Sequence, residues 1–172
     1  MTFPRALSVE ELPAEEAPDL REVMDRAGSF LASRARSERE VREALDRSGF
    51  DSRTVEAGLA RLKELELVDD FTFSRQWIEE RGRGKGLGAR RLLGELRLKG
   101  VDQEVAEQAL ADVGLDEEAQ AKEMAVRLLR KVANRPLGQQ AMRLQQMLLG
   151  RGYDVEVAAM AVRSVLPPEG WD

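Results

Sequence analysis

Apolar residues recur along this chain on a long period. Three times a glycine, a bulky apolar residue and an aspartate stand in a row, at Gly49-Phe50-Asp51, Gly100-Val101-Asp102 and Gly152-Tyr153-Asp154, so the glycines are 51 and then 52 positions apart. Eight and four residues before each glycine lie Val41 and Leu45, Leu92 and Leu96, and Leu144 and Leu148. Six, ten and thirteen after it lie Val55, Leu59 and Leu62, then Ala106, Leu110 and Val113, then Ala158, Val162 and Val165. Spacings of four and seven place side chains on one face of a helix, whereas a strand would need alternation. The pattern is an internal repeat of helix, turn and helix.

Each member of the Gly-apolar-Asp triplet has a role in that turn. The glycine supplies the left-handed residue that ends one helix, and the aspartate accepts a backbone N–H as N-cap of the next. Phe50, Val101 and Tyr153 then occupy the position before the cap, from which they staple onto Val55, Ala106 and Ala158.

A further helix precedes each of these pairs. The first runs from about Asp19 to Ala35 with Val23, Ala27, Phe30 and Leu31 inward, and the Ser37/Glu40 capping box opens the helix that ends at Gly49. A third helix follows from Asp51 to about Leu65. Asp69 and Asp70 offer caps for a helix carrying Phe73, Trp77 and Ile78, which the glycines from Gly82 to Gly88 are expected to break. Helices follow at about Leu87 to Lys99 and Asp102 to Val113. Asp116 caps another, Pro136 suits the first turn of the next, and the last runs from Asp154 to before Pro167. The reading is all-α: an elongated array of three tandem three-helix repeats at 19–68, 69–115 and 116–166, with a flexible acidic tail at 1–18 and a short tail at 167–172.

Composition narrows the chemistry. Among 172 residues there is no Cys and no His, which removes disulfides, thiolate and imidazole metal sites and the usual nucleophile pairs. A non-enzyme without cofactor or metal is expected. No apolar run approaches the ~20 residues that cross a bilayer, and the acidic N-terminus does not read as a signal peptide, so the chain is expected to be cytoplasmic.

The net charge of -5 conceals a segregation. Seven positive residues from Arg81 to Lys99 face one acid, Glu95, a net of +6, and seven from Lys122 to Arg151 again face one, Glu123. Between them Asp102 to Glu118 holds seven acids and no base. Such blocks give one face a positive potential and another a negative one. On the helix from Leu87 to Lys99, Ala89, Leu92 and Leu96 share the inward face while Arg90, Gly94 and Arg97 lie almost opposite. Gly94 destabilises an exposed helix by ~1 kcal/mol relative to Ala, and it permits close approach of a partner backbone. Arg127, Arg130 and Lys131 flank the apolar stripe of their own helix in the same way.

Other signals read as structure. The glycines at 82, 84, 86 and 88 satisfy neither G-x-G-x-x-G nor G-x-x-x-x-G-K-[ST], and a helix precedes them, so a flexible basic loop is expected in place of a nucleotide site. Phe71, Phe73 and Trp77 fit the inward stripe better than a base-stacking platform. Asp69 and Asp70 lack a third ligand and read as caps.

With these features in place, the chain resembles the RecX family of bacterial recombination regulators. The matching stretches are FLASRARSEREVREALDRSGFD at 30–51, LVDDFTFSRQWIEERGRGKGLGARRLLGELRLKGVD at 67–102 and LLRKVANRPLGQQAMRLQQMLLGRGYD at 128–154. Phe30 stands where the family often has Tyr, and the third repeat lacks an aromatic at Leu149. The resemblance implies a curved array that binds the RecA recombinase filament on DNA in its helical groove, restraining ATP hydrolysis, strand exchange and co-protease activity in DNA repair and the SOS response. Carried over by residue, the filament-binding surface would comprise Arg81, Arg83, Lys85, Arg90, Arg91, Arg97 and Lys99, with Arg34 and Arg36 at the other end of the first repeat. Arg127, Arg130 and Lys131 join it on charge alone. A monomer is expected, with direct DNA contact possible in principle through the same cations. A direct DNA-binding repeat protein and a scaffold for an acidic protein helix remain alternatives at this point.

Overall fold

The computed structural model describes residues 18–166. Among them are nine α-helices and no strand: α1 Pro18–Leu31, α2 Glu38–Arg47, α3 Ser52–Glu64, α4 Asp70–Ile78, α5 Ala89–Leu98, α6 Gln103–Val113, α7 Glu117–Leu129, α8 Leu137–Leu149 and α9 Val155–Val165. They form tandem three-helix repeats. The tails expected at 1–18 and 167–172 lie, apart from Pro18, outside the described residues.

The three turns are built alike. Gly49, Gly100 and Gly152 have φ of 89°, 81° and 93°, a region in which a Cβ collides with the backbone. Asp51 then accepts the N–H groups of Arg53 and Thr54, Asp102 that of Glu104, and Asp154 that of Glu156. At the third turn the Tyr153 and Gly152 N–H groups return to the carbonyls of Leu148 and Leu149, so the end of α8 is satisfied by its own chain. The residues eight and four before each glycine are all at most 1% exposed. A further position recurs nine residues after it, where Gly58, Ala109 and Ala161 are buried and small. At Gly58 a Cβ would collide with the Val23 side chain, so α1 and α3 approach more closely than any larger residue allows.

The chain divides into two compact units, residues 18–73 with 99–101, and residues 74–98 with 102–166. In the first, Val23, Val41, Leu45, Val55, Leu59 and Leu62 form the core between α1, α2 and α3. In the second, α7, α8 and α9 close over Leu144, Leu148, Tyr153 and a set of alanines on α7 and α9.

The glycine-rich run departs from expectation. The helix passes the first two glycines, α4 continuing into a π-helical turn, Glu79–Arg83, and the expected break falls later in the run, at Gly86, whose φ is 63°. The Gly86 N–H returns to Gly82 and the Leu87 N–H to Arg81. Gly82 is buried within this turn, and a Cβ there would stand 2.7 Å from Leu115 Cδ1. Packing against Leu115 thus overrides the low helix propensity of glycine. The segment that follows is fixed as well. The Gly88 N–H donates to the Arg151 carbonyl at 2.9 Å, the Arg90 N–H to that of Gly152 at 3.2 Å, and Arg151 Nη1 to that of Lys85 at 3.0 Å. A flexible loop is therefore replaced by one stitched to the turn at residues 150–153.

Candidate partner-binding surface

In the first unit the capped start of α2 gathers three of the candidate cations. Ser37 and Glu40 form the expected capping box, and the Ser37 hydroxyl donates to the Lys99 carbonyl at 2.6 Å. Glu40 is bridged by Lys99 Nζ at 2.6 Å and by Arg34 at 3.2 Å. Burial pushes its carboxyl up, but the Lys99 hydrogen bond, the Ser37 N–H and the charges of Lys99 and Arg34 outweigh this and hold its pKa below the usual value. Arg36 lies 4.2 Å over the Phe30 ring. Desolvation and the neighbouring Arg34 charge lower its pKa. Asp69 caps α4 as expected, accepting from Phe71 and Thr72. Asp70 instead accepts the Glu38 N–H at 2.8 Å and caps α2 from a distance in sequence.

In the second unit the cations of residues 81–98 divide into two classes. Glu95, only 20% exposed, accepts from Trp77 Nε1 at 3.1 Å and pairs with Arg81 at 3.3 Å and Arg91 at 3.4 Å. Arg81 also stacks 4.0 Å over the Trp77 ring. Arg91 Nη1 donates to the Gly150 carbonyl and Arg83 Nη2 to that of Val113. Arg81, Arg83 and Arg91 therefore hold the unit together. Lys85, Arg90 and Arg97 are exposed and form no ion pair with a described residue. On α7, Arg127 is tied to Glu123 at 2.5 Å, while Arg130 at its C-cap and Lys131 in the turn beyond, both expected on the helix itself, are exposed with no such pair among the described residues.

The exposed face of α5 carries two further features. A Cβ added at Gly94 would meet no atom of a described residue within 4 Å, so no packing among the described residues requires glycine there. Leu98, one turn later, is 74% exposed. Phe73 joins the core, Phe71 is half-buried, and Trp77 is spent on Glu95 and Arg81, which leaves no exposed stacking platform among these three.

Comparison with known proteins decides the family. The model described as "RecX, first three-helix domain" matches residues 24–62, and that described as "RecX, second three-helix domain" matches residues 69–110. Regulatory protein RecX of Amycolatopsis mediterranei (strain U-32) is 36% identical over 161 residues, covering 93% of this chain and 91% of that one. The chain belongs to the RecX family. Regulatory protein RecX of Prosthecochloris aestuarii is 34% identical over 151 residues, 86% of this chain and 96% of the relative. The crystal structure of RecX from Lactobacillus salivarius superimposes with a TM-score of 0.80 over 87% of this chain and 98% of that one. At 18% identity that likeness speaks to the fold.

For this RecX-family chain the fold assigns roles that the sequence pattern missed. Glu95, the lone acid of the basic block, orients Arg81 and Arg91. Glu117 reaches from α7 to accept the Ala89 N–H at 2.6 Å and so caps α5. Both lie among residues whose charge was legible but whose partners are 14 to 28 positions away or held by a helix turn, and no local motif marks them. Among the described residues no helix is long and apolar enough to cross a membrane.

Proposed function

We propose that this chain is a non-enzymatic, cytoplasmic regulator that binds the RecA recombinase filament on DNA as a monomer, in its helical groove, and restrains ATP hydrolysis, strand exchange and co-protease activity. The observation that carries the reading is the division of cations in the second unit. Arg81, Arg83 and Arg91 are consumed by internal partners, whereas Lys85, Arg90 and Arg97 are exposed and form no ion pair with a described residue. Uncompensated cations on a rigid helix attract an anionic surface and accelerate encounter with it. Relatives named regulatory protein RecX support a regulatory role, and the resemblance in sequence supplies the recombinase as target.

The test is co-sedimentation with filaments assembled on single-stranded DNA with a non-hydrolysable ATP analogue, followed by titration into filaments turning over ATP. Binding to filaments above binding to DNA alone, together with slowed turnover, is the expected result. Equal binding to naked DNA, falling steeply with salt, would make the chain a DNA-binding repeat protein. Binding to neither would leave the scaffold alternative.

A further inference from the structure

Resting on the filament reading above, we propose that the exposed face of α5 docks a helix of the recombinase protein, acidic and carrying an apolar side chain that seats at Gly94, and does not contact nucleic-acid phosphate. Arg90, Gly94, Arg97 and Leu98 are spaced by four, seven and eight and share one face of α5. The absence of a side chain at Gly94 lowers the helix surface between the two arginines, and no described residue fills the space. Interaxial distance between packed helices is set by the side chains at the contact, so a glycine there admits a partner side chain or lets the two axes approach. Leu98, at 74% exposure, gives the same face an apolar knob.

A sugar-phosphate backbone is hydrated and charged, and it gains little from a leucine or a bare helical glycine, neither of which offers a donor. A protein helix gains from both. Arg90 and Arg97 flank the notch without an ion pair to a described residue, and guanidinium groups match carboxylates in a bidentate fork. Apolar centre and charged flanks are the pattern of a helix laid into a complementary groove.

The experiment measures binding of wild type, Gly94→Met and Leu98→Ala to recombinase filaments and, separately, to the same single-stranded DNA without recombinase. Gly94→Met fills the notch at a site where a Cβ meets no atom of a described residue within 4 Å, so folding is expected to survive, and an unchanged helical spectrum and unfolding midpoint verify this. Each variant is expected to bind filaments about tenfold more weakly, the size of a hot-spot loss, with binding to naked DNA unchanged. If wild type binds filaments and both variants bind them equally well, the α5 proposal falls while the filament reading stands. Equal weakening on filaments and naked DNA would place nucleic acid on this face and overturn the proposal as well. If wild type itself ignores filaments, the functional reading fails first, in an arm that involves no variant.

Discussion

The Tyr153 hydroxyl donates a hydrogen bond to the carbonyl oxygen of Gly86 at 3.1 Å, joining positions 67 apart inside the second unit. Tyr153 is the apolar member of the third Gly-apolar-Asp triplet, and it is fully buried. Its ring therefore packs against the α7–α9 core while its oxygen holds the glycine-rich segment that leads into α5. The same turn receives the Gly88 and Arg90 N–H groups at the Arg151 and Gly152 carbonyls. A related contact occurs one repeat earlier, where the Ser37 hydroxyl reaches the Lys99 carbonyl. Ser37 precedes Gly88 by 51 positions and Lys99 precedes Arg151 by 52, so the period that repeats the turns also repeats what docks on them.

Tyr153→Phe keeps the ring and removes the donor. A buried carbonyl losing its partner costs about 1–2 kcal/mol, and the variant should unfold at a correspondingly lower urea midpoint. An unaltered midpoint would show that water or another donor replaces the hydroxyl without loss.

Alanine at the recurring glycine should destabilise unequally. At Gly49 a Cβ meets nothing within 4 Å, so Gly49→Ala costs only the left-handed backbone strain, about 1–2 kcal/mol. At Gly152 the same Cβ would stand 2.5 Å from the Arg91 backbone nitrogen and would also strike the Arg91 Cβ. Backbone yields less than a side-chain tip, and Gly152→Ala should be the worse by at least about 1 kcal/mol. Equal losses in paired denaturation curves would mean that the α5 approach relaxes freely.

These turns were legible because every determinant lies within a few residues. The left-handed glycine, the aspartate cap and the apolar spacing are all local signals, and the helix ends fell within a few residues of expectation. The break at Gly86 was legible in the four alternating glycines, but the π-helical turn at Glu79–Arg83 was not, since only the Leu115 side chain against Gly82 explains why the helix first continues past that glycine. The candidate surface was legible in charge and not in commitment. Sequence counts Arg81, Arg83 and Arg91 equally with Arg90 and Arg97, and only tertiary partners separate them. Asp70 illustrates the same limit, a cap by composition whose helix turned out to be α2.

Glu40 should give the first unit a pH dependence on the acid side. Its folded pKa lies below its ordinary 4.5, because Lys99, the Ser37 N–H and Arg34 together outweigh burial. The unfolded chain therefore binds the proton more readily, and the stability Glu40 contributes is fully present above pH 4.5 and lost as pH falls through the lower folded value. Glu40→Gln should be less stable than wild type by about 1 kcal/mol at neutral pH, with the difference closing on that acid side. A difference that stays constant across the acid titration would exclude the ion pairs as its source.

Gly94→Ala should make the isolated protein more stable by ~1 kcal/mol, since the site is helical and open and alanine is the better helix former. A higher thermal midpoint is the expected reading. A lower one would reveal a packing demand at Gly94 inside the folded chain.

Charge reversal on α5 separates a solvated face from a contact surface. Arg90→Glu with Arg97→Glu alters two exposed residues that form no ion pair with a described residue, and leaves the buried Leu92 and Leu96 in place. Arg91 is kept, because its bonds to Glu95 and to the Gly150 carbonyl belong to the fold. Exposed substitutions of this kind shift stability by about 0.5 kcal/mol or less, so the unfolding midpoint should hold. Two attractive contacts become repulsive, and truncating or reversing close charge pairs at an interface typically removes on the order of 2 kcal/mol or more, some thirtyfold in affinity. The control is Glu104→Lys with Glu107→Lys on the acidic helix α6, which adds as much positive charge as the first variant removes. If net charge alone governed binding, the control would bind filaments more tightly by as much as the arginine variant binds less tightly. If the α5 face is the contact, the arginine variant loses its effect on recombinase ATP turnover while the control stays near wild type, and a folded arginine variant that still slows turnover like wild type would move the contact surface away from α5.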